Sequence, residues 1–354
     1  MVKNKRYTRN LLITVIVVGI IIIATASGYV YWNAAPPHKT CLSCHEITNS
    51  FDMWARSSHR DFHCKTCHGT ALTNGWHSIE EKANMVFSHF SEEYMEDIRL
   101  NEEQIFEMMD KCKGCHQNQY AKWLSGGHSM KYADVFLNVN HNQTEQINDD
   151  CLRCHGMFFE GTVHDIVEPL SKKGPWRLLR EDLADKPTMP CLTCHSIHEE
   201  NLPTTEPVYD DPNMIHYQRI SKSPTIGFWD RHEQDYYRAE ILPEPTVIDY
   251  DHKVKLAKDH SQKICTICHS PNSFHMAGSG DDRTPRGVHE GLTCNSCHIP
   301  HSNDSKRSCQ NCHPAISNCG LDVTAMNTTF VNQESENDIH FVGCKDCHPE
   351  MGKK

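Results

Sequence analysis

The unit Cys-x-x-Cys-His occurs nine times in 354 residues, at Cys41–His45, Cys64–His68, Cys112–His116, Cys151–His155, Cys191–His195, Cys265–His269, Cys294–His298, Cys309–His313 and Cys344–His348. The copies use eighteen of the nineteen cysteines. A disulfide framework has no reason to set a histidine after every second cysteine. A zinc site pairs two Cys-x-x-Cys units or adds spaced histidines, and does not repeat one unit nine times. The spacing is instead the attachment signature of c-type haem. Two thiols add to the two vinyl groups of one porphyrin, and the adjacent imidazole lies under the ring as the proximal iron ligand.

The thioether positions are then Cys41, Cys44, Cys64, Cys67, Cys112, Cys115, Cys151, Cys154, Cys191, Cys194, Cys265, Cys268, Cys294, Cys297, Cys309, Cys312, Cys344 and Cys347. The proximal ligands are His45, His68, His116, His155, His195, His269, His298, His313 and His348. Nine covalent haems are expected. Cys319 is left over; it reads as a spare buried thiol or as a thiolate ligand to an iron.

Seventeen of the 26 histidines lie outside the motifs, 26 less nine. Imidazole is a common second axial ligand, and it closes the coordination of an electron-transfer haem. Two placements recur. His59, His260 and His289 stand five residues before Cys64, Cys265 and Cys294, and His340 stands four before Cys344. His198 and His301 stand three after His195 and His298. These six are the candidate distal ligands. The other free histidines read as surface or propionate-contacting residues.

A chain of this length ordinarily divides into two or three domains. Here there is one motif per thirty-nine residues, 354 over nine. Hydrophobic residues are only 38 % and the mean hydropathy is −0.60, lean for a protein core of this size. Porphyrins would supply the missing apolar bulk. The expected fold is mainly α with extensive loops and little sheet: a single amino-terminal transmembrane helix, then a multihaem cytochrome c domain built around a haem chain. The net charge of −11, made more acidic by propionates, disfavours nucleic-acid binding.

Lys3, Lys5, Arg6 and Arg9 precede an apolar run from Leu11 to Ala26, and Tyr29, Tyr31 and Trp32 follow it. Basic residues stay cytoplasmic and aromatic residues favour the interface. The twenty-two residues from Leu11 to Trp32 make a helix of about 33 Å, enough for a hydrocarbon core of ~30 Å. Ala24-Thr25-Ala26 also resembles a signal-peptide cleavage site. The anchor reading is preferred, because the apolar stretch continues past that site and the first motif begins nine residues after Trp32. Both readings put every haem outside the cytoplasm. The expected location is the inner (cytoplasmic) membrane, single-pass, with the haem domain facing the periplasm or the cell exterior.

Between motifs two and three, Ile79, Ala83, Val86, Phe87, Phe90 and Tyr94 recur at helical spacing. Asn101 with Gln104 forms a variant capping box for a second helix, Glu102–Lys111, which carries Ile105, Met108 and Met109 into Cys112. Leu202–Pro212 and Ile241–Asp251 read as loops. The domain division expected is 1–32 basic tail and anchor, 33–165 a four-haem module, and 166–354 a five-haem module.

Trp54-x-x-x-Ser58-His59 followed by Cys64-x-x-Cys67-His68 resembles the membrane-anchored quinol dehydrogenases of the NapC/NirT/NrfH type. The anchor directly before the first motif, the helical spacer beginning near Trp76 and the helix leading into Cys112 agree with that resemblance, over roughly residues 1 to 165. It implies electron entry from membrane quinol at haem one and transfer to a periplasmic redox protein. Where that family carries Met two residues after the first motif histidine, this chain has Ile47; Met53 and several histidines are alternatives. Glu80, Glu81 and Lys82 fall in the region of that family's quinol site and also read as a solvated helix face. The Cys-x-x-Cys-His-x-x-His elements after Pro187 resemble periplasmic decahaem conduits.

The resulting function is electron transfer from membrane quinol to periplasmic or extracellular redox partners, with an oligomer compatible. The alternatives are a catalytic multihaem oxidoreductase acting on nitrogen or sulfur compounds, and a conduit or filament cytochrome. Related nitrite reductases mark the catalytic iron with Lys in place of the motif His, and all nine motifs here end in His.

Overall fold

The structure, a computed structural model, describes residues 2–42, 47–69, 87, 89–90, 100–198, 226–269, 276–278, 287, 289–296, 298 and 301. The expected helix over 79–94 and the loop Leu202–Pro212 lie outside these residues, apart from isolated positions. So do Trp76, Glu80, Glu81, Lys82, Cys44, His45, Cys297, Cys309, Cys312, His313, Cys319, His340, Cys344, Cys347 and His348. The chain separates into two compact units, Met1–Ile98 and Arg99–Lys354. It is mainly helical with extensive loops.

In the first unit, α1 (Val2–Ala34) is a continuous helix. Its stretch Tyr7–Ala34 is long and apolar enough to cross a membrane. Leu11, Ile20 and Ile23 are all more than half exposed. Pro36 and Pro37 stop α1, because proline lacks the amide a helix needs, and Pro37 opens the short helix α2 (Pro37–Thr40). Helix α3 (Thr48–Arg56) ends where the Ser57 hydroxyl donates to the Trp54 carbonyl at 2.8 Å. Trp54 Nε1 then donates to the His59 carbonyl at 3.0 Å. Helix α4 (Cys64–His68) is motif two itself.

The second unit opens with α5 (Glu102–Cys115). The capping box expected there forms in both directions: Gln104 N–H donates to Asn101 Oδ1 at 2.9 Å, and Asn101 N–H to Gln104 Oε1 at 3.0 Å. Ile105, Met108 and Met109 line its buried face. The helix runs beyond the expected end at Lys111 and includes both cysteines of motif three. Helix α6 (Gln117–Leu124) follows at once, with Trp123 buried. Short helices α7 (Tyr132–Phe136), α8 (Val139–Thr144) and α9 (Val163–Ile166) surround the main core. That core joins Tyr132, Phe136, Ile147, Leu152, Phe159, Val163, Ile166 and Leu183.

Among the described residues, sheet is confined to three antiparallel pairs: β1 (Val167–Glu168) with β2 (Arg177–Leu178), β3 (Gly227–Asp230) with β4 (Asp235–Arg238), and β5 (Ile248–Asp249) with β6 (His252–Lys253). The β5 strand lies inside the segment read as a plain loop, Ile241–Asp251, because Val247 and Val254 are buried beside Met276 and draw the chain into a turn. Helix α10 (His260–Cys268) carries motif six.

The β3–β4 hairpin gathers three motifs. Gly227 N–H donates to the Cys194 carbonyl at 3.0 Å, and the Tyr236 hydroxyl to the same oxygen at 2.9 Å. The Trp229 ring lies 5.1 Å from that of Phe158, and Phe228 and Ala239 pack with Met157 and Ile264. Motif four, which ends two residues before Met157, motif five and the motif-six helix therefore share one small platform.

Candidate haem-attachment site

Among the described residues, motifs two to seven each form a helical turn. The motif histidine N–H donates to the carbonyl of the first cysteine in motifs three, four, five, six and seven, at 2.8, 2.9, 3.1, 2.8 and 2.9 Å. Motif two is wholly helical. In such a turn residues i, i+3 and i+4 share a face. Both thiols and the imidazole therefore leave the backbone on the same side. All twelve described motif cysteines are free thiols. Two thiols and one imidazole on a common face are the donor set that covalent haem c requires, so the residues fit that group. Among the described residues no three His, Cys, Asp or Glu side chains converge on one metal position.

The motifs touch one another through their cysteines. The Cys154 and Cys268 thiols lie beside each other, joining motifs four and six. The interaction between the two thiols lowers Cys154 and, with burial, raises Cys268 well above the usual thiol range. Cys265 and Cys294 form the same kind of pair between motifs six and seven, with Cys265 lowered and Cys294 raised. In the first unit, burial pushes Cys64 up to about 11, and the adjacent Cys41 of motif one adds to the rise.

Local polar bonds fix these approaches. Asp259 is buried and caps α10, accepting from Ser261 N–H at 3.0 Å. Thr293, one residue before motif seven, donates its hydroxyl to Asp259. Asn295 Nδ2 donates to Ser261 Oγ at 2.7 Å and to Asp259 Oδ2 at 3.3 Å. This network holds the turn of motif seven against the start of the motif-six helix. Beside motif four, Gly156 N–H donates to the Thr188 carbonyl at 2.9 Å, and Thr188 bonds back to the Met130 carbonyl.

Two pairs of imidazoles face each other across wide gaps. His195 and His301 have ring centres 5.9 Å apart and planes 27° apart. His128 and His269 have centres 6.0 Å apart and planes 73° apart. Desolvation, followed by the neighbouring His301 and His116, pushes His195 down to about 4. It is therefore a neutral imidazole at ordinary pH, the form that binds a metal.

Of the candidate distal ligands, His301 is brought to a motif histidine. His260 sits at the start of α10 with its Nδ1 buried and without a hydrogen-bond partner. His59 follows α3, and its carbonyl is held by Trp54. His198 and His289 are half-buried. His128 was not among the sequence candidates. Its signal is the spacing Trp123 to His128, which repeats that of Trp54 to His59.

The sequence model of the family described as cytochrome c554 and c-prime matches residues 111–170, which hold motifs three and four. It is a different family from the quinol dehydrogenases that the first 165 residues resemble. No curated protein and no solved structure matches the chain. The family match and the repeated motif turns together support a c-type cytochrome, a haem-based electron-transfer protein holding covalent haem c.

Proposed function

We propose that this chain carries electrons from membrane quinol to a redox partner outside the cytoplasmic membrane, with nine haem c groups held by its nine motifs. Bound haem supplies a one-electron iron(III)/iron(II) couple. The protein supplies attachment through the paired thiols, axial imidazoles, and contacts between motifs that keep neighbouring sites close.

The observation that carries the reading is in the first unit. Motif two folds back onto the end of the apolar helix. The Lys65 ammonium stands 4.9 Å from the centre of the Trp32 ring, a cation–π contact of about 0.5–1 kcal/mol at a partly exposed site. His63 Nε2 meets the Ala35 carbonyl at 2.9 Å. With Cys41 beside Cys64, the first cysteine of motif one and the whole of motif two sit at the exit of the helix. Aromatic residues at that exit suit an interface. An anchored α1 would therefore hold two attachment sites where a lipid-soluble donor arrives. A two-electron quinol delivers its electrons singly, and two adjacent sites suit that delivery.

The test is reduction of liposome-reconstituted protein by a menaquinol analogue, beside a form lacking residues 1–32. Pyridine haemochrome analysis with intact mass gives the haem count, expected to be nine in both. Removal of the helix is expected to slow reduction sharply without loss of haem, since no attachment residue lies in it. Equal rates would overturn the quinol reading, and fewer than nine haems would overturn the count.

A further inference from the structure

We propose that His128 is the distal axial ligand of the iron held by His269, so that motif six carries a six-coordinate haem closed by a residue distant in sequence. This rests on the reading that motif six holds a haem.

Distance is the first argument. A metal–imidazole bond is about 2.0 Å long. A five-membered ring built of bonds near ~1.35 Å places its nitrogen about 1.15 Å from its centre. Two rings sharing one iron thus lie about 6.3 Å apart, centre to centre. The 6.0 Å between His128 and His269 matches that span. The 5.9 Å between His195 and His301 matches it a second time, at another motif. A directly packed pair has no reason to settle at one separation, since aromatic contacts range over about 4.5–7 Å.

Support of the ligand is the second argument. His128 sits on the short turn Gly127–Ser129, directly after α6. The Ser129 hydroxyl donates to the carbonyls of Leu124 and Gly126 at 3.0 and 2.8 Å. On the other side, the Met130 carbonyl accepts from Thr188 N–H at 2.8 Å and from its hydroxyl at 3.0 Å. The turn is clamped at both ends, as an axial ligand must be to keep its ring aimed at a metal.

An internal repeat is the third argument. Helices α3 and α6 each follow an attachment motif, and each ends at a serine whose hydroxyl bonds a helix carbonyl: Ser57 to Trp54 at 2.8 Å, Ser125 to Lys122 at 2.6 Å. Each carries a tryptophan five residues before a histidine, Trp54 to His59 and Trp123 to His128. The same device therefore presents a histidine twice.

The interplanar angle makes the proposal spectroscopically specific. Nearly perpendicular axial rings leave the two iron dπ orbitals close in energy and give a strongly anisotropic low-spin ferric signal. Nearly parallel rings, as at His195 and His301, split those orbitals and give an ordinary rhombic one. The experiment uses the full-length holoprotein. Peptide mapping of the wild type first locates haem on the peptide holding Cys265 and Cys268. Low-temperature electron paramagnetic resonance is then compared for the wild type, His128→Met and His128→Gly. The expected result for His128→Met is loss of one strongly anisotropic signal, gain of the near-infrared band of a methionine-ligated ferric haem, and an unchanged haem count. For His128→Gly, one haem equivalent turns high-spin and returns to low-spin on adding imidazole. Unchanged spectra in both variants, with haem present on the Cys265 peptide, would overturn the proposal alone and leave an edge-to-face ring pair. Absence of haem from that peptide in the wild type would overturn the proposal together with the reading of motif six.

Discussion

The imidazole of His195 stands 5.9 Å from that of His301, centre to centre, with the two planes 27° apart. His195 is proximal in motif five, whereas His301 follows motif seven by three residues. A ligand exchange at His301 is therefore expected to report at the haem of motif five and not at that of motif seven. His301→Met should leave nine haems and shift one potential upward, by a fraction of the ~0.8 V range that axial ligands control. Potentiometric titration followed in the visible and near infrared checks it. No shifted component would detach His301 from iron.

Gly156 directly follows the motif-four histidine and has φ of +87°. A Cβ there would meet the Tyr132 hydroxyl at 2.7 Å. Gly156→Ala is expected to destabilise the holoprotein by about 1–3 kcal/mol, from left-handed strain and the clash together. Adding Tyr132→Phe should recover the steric part and not the backbone part. Chemical denaturation of both variants and the wild type reads the difference; an unchanged midpoint in Gly156→Ala would refute the account.

Tyr132, buried, donates its hydroxyl to Glu102 Oε1 at 2.5 Å. Burial raises the Glu102 carboxyl above its ordinary value, against the opposing pulls of Tyr132 and Arg180. A raised folded-state value means that the stability Glu102 contributes is fully present below the ordinary glutamate range. It falls as pH rises through the folded value. Glu102→Gln keeps an acceptor for Tyr132 and cannot ionise. Its stability relative to the wild type is expected to rise across that window and then level off. Melting temperatures of both proteins from acid to neutral pH test this, and a constant difference would contradict it.

Local patterns carried far in this chain. The nine motifs, the apolar helix and the Asn101–Gln104 capping box were legible because each is decided within a few residues. A helical turn needs only i to i+4 bonds, and a capping box only i to i+3. His128 stands twelve residues after His116, outside both placements that recur beside an attachment motif. The recurring Trp-to-His spacing was the signal that would have found it. The β3–β4 hairpin left a weaker trace, the aromatic pairs Phe228-Trp229 and Tyr236-Tyr237, with no alternation long enough to mark strands.

The sequence by itself determined the cofactor chemistry and the apolar helix, because thioether attachment and the apolar length that spans a bilayer are properties of contiguous residues. Tertiary structure alone decided which motifs are neighbours. Cys154 meets Cys268, and Cys265 meets Cys294, through the Phe228–Met157–Ile264 packing and the buried Asp259 network. Those contacts join residues far apart along the chain. Their energy comes from shared burial and from satisfying polar groups withdrawn from water, and neither leaves a periodic mark in the order of residues.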